Sequence, residues 1–240
     1  MIQRLRSLLF IAQMYLVMPL FGLVYLPWVL VSTTGGHAAC HAYCRWVLWT
    51  MGWMVGLRVE IRGTPPTDEV MVAAKHQSFL DILVIYNATP RGKFIMKRLL
   101  IYAPILGQYA LRIGCVPVDR GKRGAAIKKM LEDVRGGKQQ GGQLIIYPQG
   151  TRVAPGVSKP YKVGTGALYE QLGQTCVPVA TNVGLFWPKH GITRQPGVAV
   201  VEFLPPIMPG LPKETFLARL EAEVETASDK LLDEAGFRRD

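Results

Sequence analysis

VMVAAKHQSFLDILVIYN, residues 70–87, holds two periodicities back to back. Val70–Lys75 is a short apolar run of the kind that makes a buried strand. Ser78–Asn87 carries apolar residues at helical spacing behind a serine suited to capping a helix. A strand that runs straight into a helix is the unit from which α/β folds are built. The junction holds His76 and Asp81. On one continuous helix these two would point about 140° apart, and on one strand they would face opposite sides. They meet only if His76 lies in the turn and Asp81 in the first turn of the helix. An imidazole near neutral pKa whose tautomer is fixed by a carboxylate can take a proton from an alcohol. The bland alternative is a strand-end histidine beside an unrelated helix-start carboxylate.

Outward from this junction the same texture continues. Further strands are expected at Leu57–Arg62, Lys93–Met96, Cys115–Val118, Gln143–Tyr147, Cys176–Ala180 and Val198–Phe203. Further helices are expected at Ala125–Arg135, Thr165–Leu172 and Glu214–Glu234, the last reached through a Pro-rich connector. The fold class that follows is α/β, a mixed, largely parallel sheet layered with helices.

The N-terminus differs. Residues 8–31 carry no charge and are long enough to cross a bilayer, for which about 20 apolar residues suffice. Pro19 and Pro27 are expected to kink or interrupt the helix. After a polar break at Ser32–Gly36 comes a second apolar segment, Ala38–Leu57. Trp28, Trp46, Trp49 and Trp53 suit a membrane interface. The two segments form a helical hairpin that either spans the membrane or dips into one leaflet. A cleaved signal peptide fits less well, because no small-residue cleavage site with a polar mature start follows. Arg4 and Arg6 before the hairpin, and Arg58 and Arg62 after it, put both ends on the cytoplasmic side.

Lys and Arg number 28 against 17 Asp and Glu, a net charge of +11. The excess lies before residue 211 and is densest between Arg91 and Lys138. Such a field attracts phosphorylated substrates, anionic lipid headgroups or an acidic carrier. Nucleic acid is disfavoured, because the aromatics sit in the apolar N-terminal segment and not among the basic residues. The four cysteines suggest no disulfide framework, and a reducing compartment suits them.

Three more stretches could carry chemistry. Tyr147-Pro148-Gln149-Gly150-Thr151-Arg152 ends an apolar strand in a turn, where backbone N–H groups, a hydroxyl and a guanidinium can meet an anion. Gly114-Cys115-Val116-Pro117-Val118-Asp119-Arg120 ends a strand in a second cation. Cys176-Val177-Pro178-Val179-Ala180 has no reactive group and reads as a core strand. Taken singly, the first two read equally as surface turns, with Asp119–Arg120 a weak surface ion pair.

In this order, the four segments resemble the motif blocks of the glycerol-3-phosphate and lysophosphatidic acid acyltransferase family, bacterial type, over roughly residues 57–205. His76 and Asp81 match its histidine, four residues and aspartate. Arg120 matches its second block, Tyr147–Arg152 its usual Phe-Pro-Glu-Gly-Thr-Arg, and Pro178 its fourth. The resemblance implies that His76 deprotonates an acceptor hydroxyl, which attacks an acyl thioester directly, and that Asp81 orients His76. It implies that Arg120 and Arg152 bind the acceptor phosphate, with Lys97 as a further phosphate ligand, and that Gln149, Gly150 and Thr151 position the substrate. No metal or cofactor is implied; acyl carrier protein or coenzyme A brings the acyl group as its thioester. The product from lysophosphatidic acid would be phosphatidic acid, made in phospholipid biosynthesis on the cytoplasmic face of the inner membrane. Residues 1–57 would then anchor a catalytic domain, residues 58–240, to the lipid bilayer.

Two residues depart from the usual pattern. Gln149 stands where the family has glutamate, and Lys75 where it often has asparagine. Both leave another lyso-lipid acceptor, such as a lyso-aminolipid, open. A non-catalytic basic protein of the membrane surface would explain the charge and the hairpin but not the ordered blocks. Ser78 beside His76 is no hydrolase nucleophile, because a Gly-x-Ser-x-Gly elbow is missing. His37, Cys40, His41 and Cys44 share one helical face, and four ligands on one face cannot surround a tetrahedral ion.

Overall fold

The computed structural model describes residues 1–118, 124, 125, 128, 132 and 141–238. Arg120, Asp119 and most of the helix expected at Ala125–Arg135 lie outside the described residues.

Seven strands form one sheet: β1 (Leu57–Arg62), β2 (Met71–Ala74), β3 (Lys93–Lys97), β4 (Val116–Val118), β5 (Leu144–Ile146), β6 (Cys176–Thr181) and β7 (Gly197–Phe203). Their order is β1-β7-β6-β2-β5-β3-β4, and every neighbouring pair is parallel except β6 with β7. β2 is central, and all four of its residues are buried. Apolar residues fill both of its faces because helices cover both. Val72 and Ala74 face one core, Met71 and Ala73 the other.

The first core lies under α1 (Ile2–Val31), α2 (Thr33–Val55) and α3 (Leu80–Ala88). The second lies under α5 (Val163–Leu172) and α6 (Lys213–Glu234). Between β3 and β4, α4 (Leu106–Arg112) follows a short 3-10 turn at Arg98–Tyr102. On α6 the buried residues Phe216, Leu220 and Val224 recur at i, i+4 and i+8, so one stripe meets the sheet while the acidic face meets water. Phe216 stacks on Tyr169 of α5 with ring centroids 3.7 Å apart.

The hairpin is built into this body. Phe10 and Met14 of α1 and Val47, Met51 and Val55 of α2 belong to the same core as Val72 and Val179 of the sheet. The break between its helices is a single extended residue, Ser32, whose Oγ accepts from Thr34 N–H at 3.2 Å. The expected polar break at Ser32–Gly36 is therefore mostly helix. Gly35 is what allows it, since a Cβ there would lie 2.7 Å from the Trp28 backbone. Pro19 and Pro27 interrupt nothing: α1 runs through both. Packing along α2 outweighs the two backbone bonds they remove. Arginines close both helix ends. Arg6 donates to the Met54 and Trp53 carbonyls at the end of α2, and Arg112 donates to those of Val29 and Leu30 at the end of α1.

Candidate active site

β2 delivers Lys75 and His76 to the carboxyl edge of the sheet, where open α/β sheets place their ligands. The chain turns through Gln77–Phe79, and α3 begins at Leu80 with the Ser78 hydroxyl accepting from Leu80 N–H at 3.1 Å. Asp81 is thus in the first helical turn and fully buried. One of its oxygens lies 2.9 Å from His76 Nδ1, and the other accepts from the N–H groups of Gln77 and Ser78 at 2.8 Å each. The two N–H groups hold the carboxyl group in place, and its contact with Nδ1 orients the imidazole. His76 Nε2 is left to accept a proton. The sequence expectation for this pair holds, with the turn in the place that the five-residue spacing demands.

Tyr147, at the end of β5, stacks on the imidazole with centroids 3.9 Å apart and planes 18° apart. Its hydroxyl is buried without a hydrogen-bond partner. Burial, with the Asp81 charge second, pushes this phenol well above its usual range, so it stays neutral. The sequence gives no warning of the stack. It follows from β2 and β5 being neighbours in register, Ala73 beside Ile146.

A cavity of about 640 Å³ opens at His76. Its depth is apolar, lined by residues such as Met18, Phe21, Leu83, Met96 and Ile113 from the hairpin, α3, β3 and the α4 region. Its polar lining includes Lys97, Gly150, Thr151, Arg152 and Lys189, and no carboxylate lines it among the described residues. Lys97 and Lys189 are exposed and Arg152 half-buried, so its mouth is where these cations reach the surface. Gly150 has φ 67°, a backbone conformation that favours glycine. Lys189 comes from the β6–β7 connection and carries no motif. β6 contributes nothing to the lining and is the core strand its composition suggests.

Gln149 departs from expectation. Its side chain is buried, lines no part of the cavity, and donates to the Lys159 carbonyl at 3.3 Å and to Glu225 of α6 at 3.4 Å. Gln149 lies in the turn beyond β5, where strand alternation has ended, and its side chain turns to Lys159 and α6, so it holds the turn rather than lining the cavity. Lys75 faces the same way. It is buried, pairs with Glu225, and shares that carboxylate with the Tyr161 hydroxyl, which donates at 3.0 Å. The two departures from the usual motif thus meet at one carboxylate, beneath the residues that follow each of them, His76 and Gly150.

His37 and His41 pair with Tyr86, the first at 2.9 Å from its hydroxyl and the second stacked at 4.8 Å. No group of three or more His, Cys, Asp or Glu residues is arranged to hold a metal ion among the described residues.

The acyltransferase family model matches residues 56–182, more than half of the chain, including His76, Asp81 and the Gly150–Arg152 turn. The chain belongs to the acyltransferase family. A 1-acyl-sn-glycerol-3-phosphate acyltransferase of Pseudomonas aeruginosa is 28% identical over 161 residues, 66% of this chain and 63% of that protein. One from Limnanthes alba is 30% identical over 191 residues, 78% of this chain and 66% of that one. The acyltransferase chain therefore spans just under two thirds of the length of these relatives. The crystal structure of the 1-acyl-sn-glycerophosphate acyltransferase from Thermotoga maritima shares the fold, with a TM-score of 0.77 over 95% of this chain and 98% of that one at 21% identity.

Proposed function

We propose that the protein transfers a fatty acyl group from an acyl carrier protein or coenzyme A thioester to the free hydroxyl of lysophosphatidic acid, yielding phosphatidic acid. The observation that carries the reading is the His76–Asp81 pair, whose imidazole lines one cavity together with apolar side chains and the cations Lys97, Arg152 and Lys189. Arg152, with Lys97 and Lys189 beside it, takes the phosphate at the mouth. His76 Nε2 removes the hydroxyl proton as the oxygen attacks the thioester carbon. The C–S bond breaks, and the proton on His76 passes to the departing thiolate. The apolar depth holds an acyl chain. Arg120, which the family pattern assigns to the same phosphate, lies outside the described residues. Positioning of this kind supplies up to about 7–11 kcal/mol of the barrier. Because Gln149 points away from the mouth, its departure from the family pattern is no argument for a different acceptor.

The chain acts on the membrane, on the cytoplasmic face of the inner membrane in a bacterial cell, with α1 lying in one leaflet. Gln3 near its start donates to the Arg194 carbonyl at 2.7 Å, and Val29 near its end accepts from Arg112 at 2.9 Å. Thirty residues rise about 45 Å, and both ends touch the same globular body. A helix threaded across a bilayer could touch such a body at one end only. The exposed face of α1, Leu16, Leu20, Leu23 and Val24, then meets hydrocarbon side-on.

The test is acyl transfer by the purified chain in vesicles, with a labelled thioester and a series of lyso-lipids. Phosphatidic acid should form from lysophosphatidic acid, and His76→Ala should abolish turnover while lysophosphatidic acid still binds. Failure to acylate any lyso-lipid would remove the reading.

A further inference from the structure

Between β3 and β4 the chain makes an apolar detour. The 3-10 turn Arg98–Tyr102 and α4 present Leu99 (76% exposed), Tyr102 (72%) and Leu111 (48%) outward. Leu100, Ile105, Leu106 and Tyr109 of the same stretch line the cavity. One short segment therefore shows apolar residues both to the cavity and to the outside, which a water-facing loop does not.

This segment is fastened to α1. The Tyr109 hydroxyl donates to the Gly22 carbonyl at 2.5 Å, and Arg112 caps the end of the helix. Leu23, Val24 and Leu30, beside those contacts, are exposed too, so the two apolar surfaces join. Lys97 and Arg98 flank the patch with positive charge, as a headgroup boundary favours.

At the joint lies the one non-glycine residue with positive φ among those described. Ile105 (φ 65°, ψ −58°) centres a γ-turn of the rare, strained hand, closed by Leu106 N–H on the Pro104 carbonyl at 2.7 Å. Its side chain fills the space that Gly22 leaves: a Cβ on Gly22 would lie 2.8 Å from Ile105 Cγ2. Both residues line the cavity. Gly22 is buried and Ile105 half-buried, with exposed apolar residues next to each, Leu23 and Val24 on α1 and Leu106 after the turn.

We infer that residues 98–112 form a second bilayer-contacting element, seated in the hydrocarbon of the leaflet beside α1. The Ile105–Gly22 seam between them is the side entrance by which a lipid tail passes between leaflet and cavity. The entrance rests on the acyl-transfer reading; the bilayer contact does not.

The contact is tested with the full chain carrying an environment-sensitive fluorophore on Tyr102→Cys or Leu111→Cys, and on Lys230→Cys of the acidic helix as reference, the unsubstituted chain being the blank. Vesicles of phosphatidylethanolamine and phosphatidylglycerol, with and without spin-labelled acyl chains, are added. Positions 102 and 111 should shift to the blue and be quenched by the spin label, and position 230 should do neither. Equal insensitivity at all three would show a surface facing water or a protein partner and overturn the contact.

The seam is tested by Gly22→Cys with Ile105→Cys. A Cβ on Gly22 lies 3.8 Å from that of Ile105, within the span of about 3.5–4.5 Å that a disulfide needs. The cross-linked form should lose at least tenfold in turnover on vesicle-borne lysophosphatidic acid and recover on reduction. Undiminished turnover when cross-linked would place the entrance elsewhere. A second variant, Ile105→Gly, suits the backbone angle and opens the seam. It should acylate a lyso-lipid with a bulky pyrene tail at least fivefold faster than the unsubstituted chain, and no gain counts against the seam. Absence of transfer by the unsubstituted chain would instead fault the acyl-transfer reading, leaving the fluorophore result to decide the contact.

Discussion

Tyr147 lies flat against His76, 3.9 Å between ring centres, and so walls one face of the imidazole whose edge Asp81 holds. A ring fixed at face and edge has one free direction, and the cavity lies there. The ring alone does this, because the Tyr147 hydroxyl has no hydrogen-bond partner. Tyr147→Phe should keep turnover within about twofold, since the stacked ring is retained. Tyr147→Ala should lower kcat with KM for the lyso-lipid little changed. Steady-state kinetics of the two variants check this.

Asp81→Asn should cost about 10²–10⁴ in kcat. An amide cannot accept both backbone N–H groups with one oxygen and also accept from Nδ1, so the imidazole loses its tautomer. Combined with His76→Ala it should add almost nothing further, as residues acting as one unit are not additive. Full additivity would mean that Asp81 serves the fold alone.

Lys75 and Glu225 are a pair whose removal is asymmetric. Lys75→Met leaves Glu225 uncompensated and should cost about 3 kcal/mol in denaturant unfolding. Lys75→Met with Glu225→Leu removes both charges and should recover most of that loss. Since Lys75 precedes His76 and Gln149 precedes Gly150, the single variant should lower kcat and the double restore it.

The expected folds of sequence and structure agree where local pattern decides. Each of the seven strands lies within a residue or two of its expected position, because each is a short apolar run between turn residues. The His76–Asp81 contact was legible because only one arrangement of a strand, a turn and a helix brings the two together. What the sequence hid is tertiary. Tyr147 over His76 depends on strand order, and Glu225 beneath the site comes from a helix 150 residues away from Lys75. Lys189 lies in a loop with no pattern at all. The Arg98–Arg112 detour breaks no rule of composition, yet its short helices carry apolar residues on two faces and so show no amphipathic period. The direction of Gln149 is hidden for the same reason: its partner Glu225 is 76 residues away on α6.

Alkaline pH should unfold the protein sooner than acid-labile contacts would suggest. Burial pushes the Cys115 thiol from 9.0 up to about 11, and burial with Glu225 raises the Tyr161 phenol. Both groups bind their protons more tightly folded than unfolded. Their contribution is whole below the unfolded values and is lost as pH rises through the folded ones. Cys115 steepens the fall between pH 9 and 11 and Tyr161 only above pH 10, each by up to about 1.4 kcal/mol per pH unit. Cys115→Ala should flatten the fall in that window by one proton, as thermal unfolding across pH would register.

The bond from Gln3 to the Arg194 carbonyl joins residues 191 positions apart. A ribosome adding about 5–20 residues per second therefore releases the first helix ten seconds or more before its docking partner exists. Through that interval Phe10 lacks Trp187, the ring it meets edge-on in the finished core. The first helix synthesised is thus among the last to be fully sealed, once β6 and the loop after it have been made.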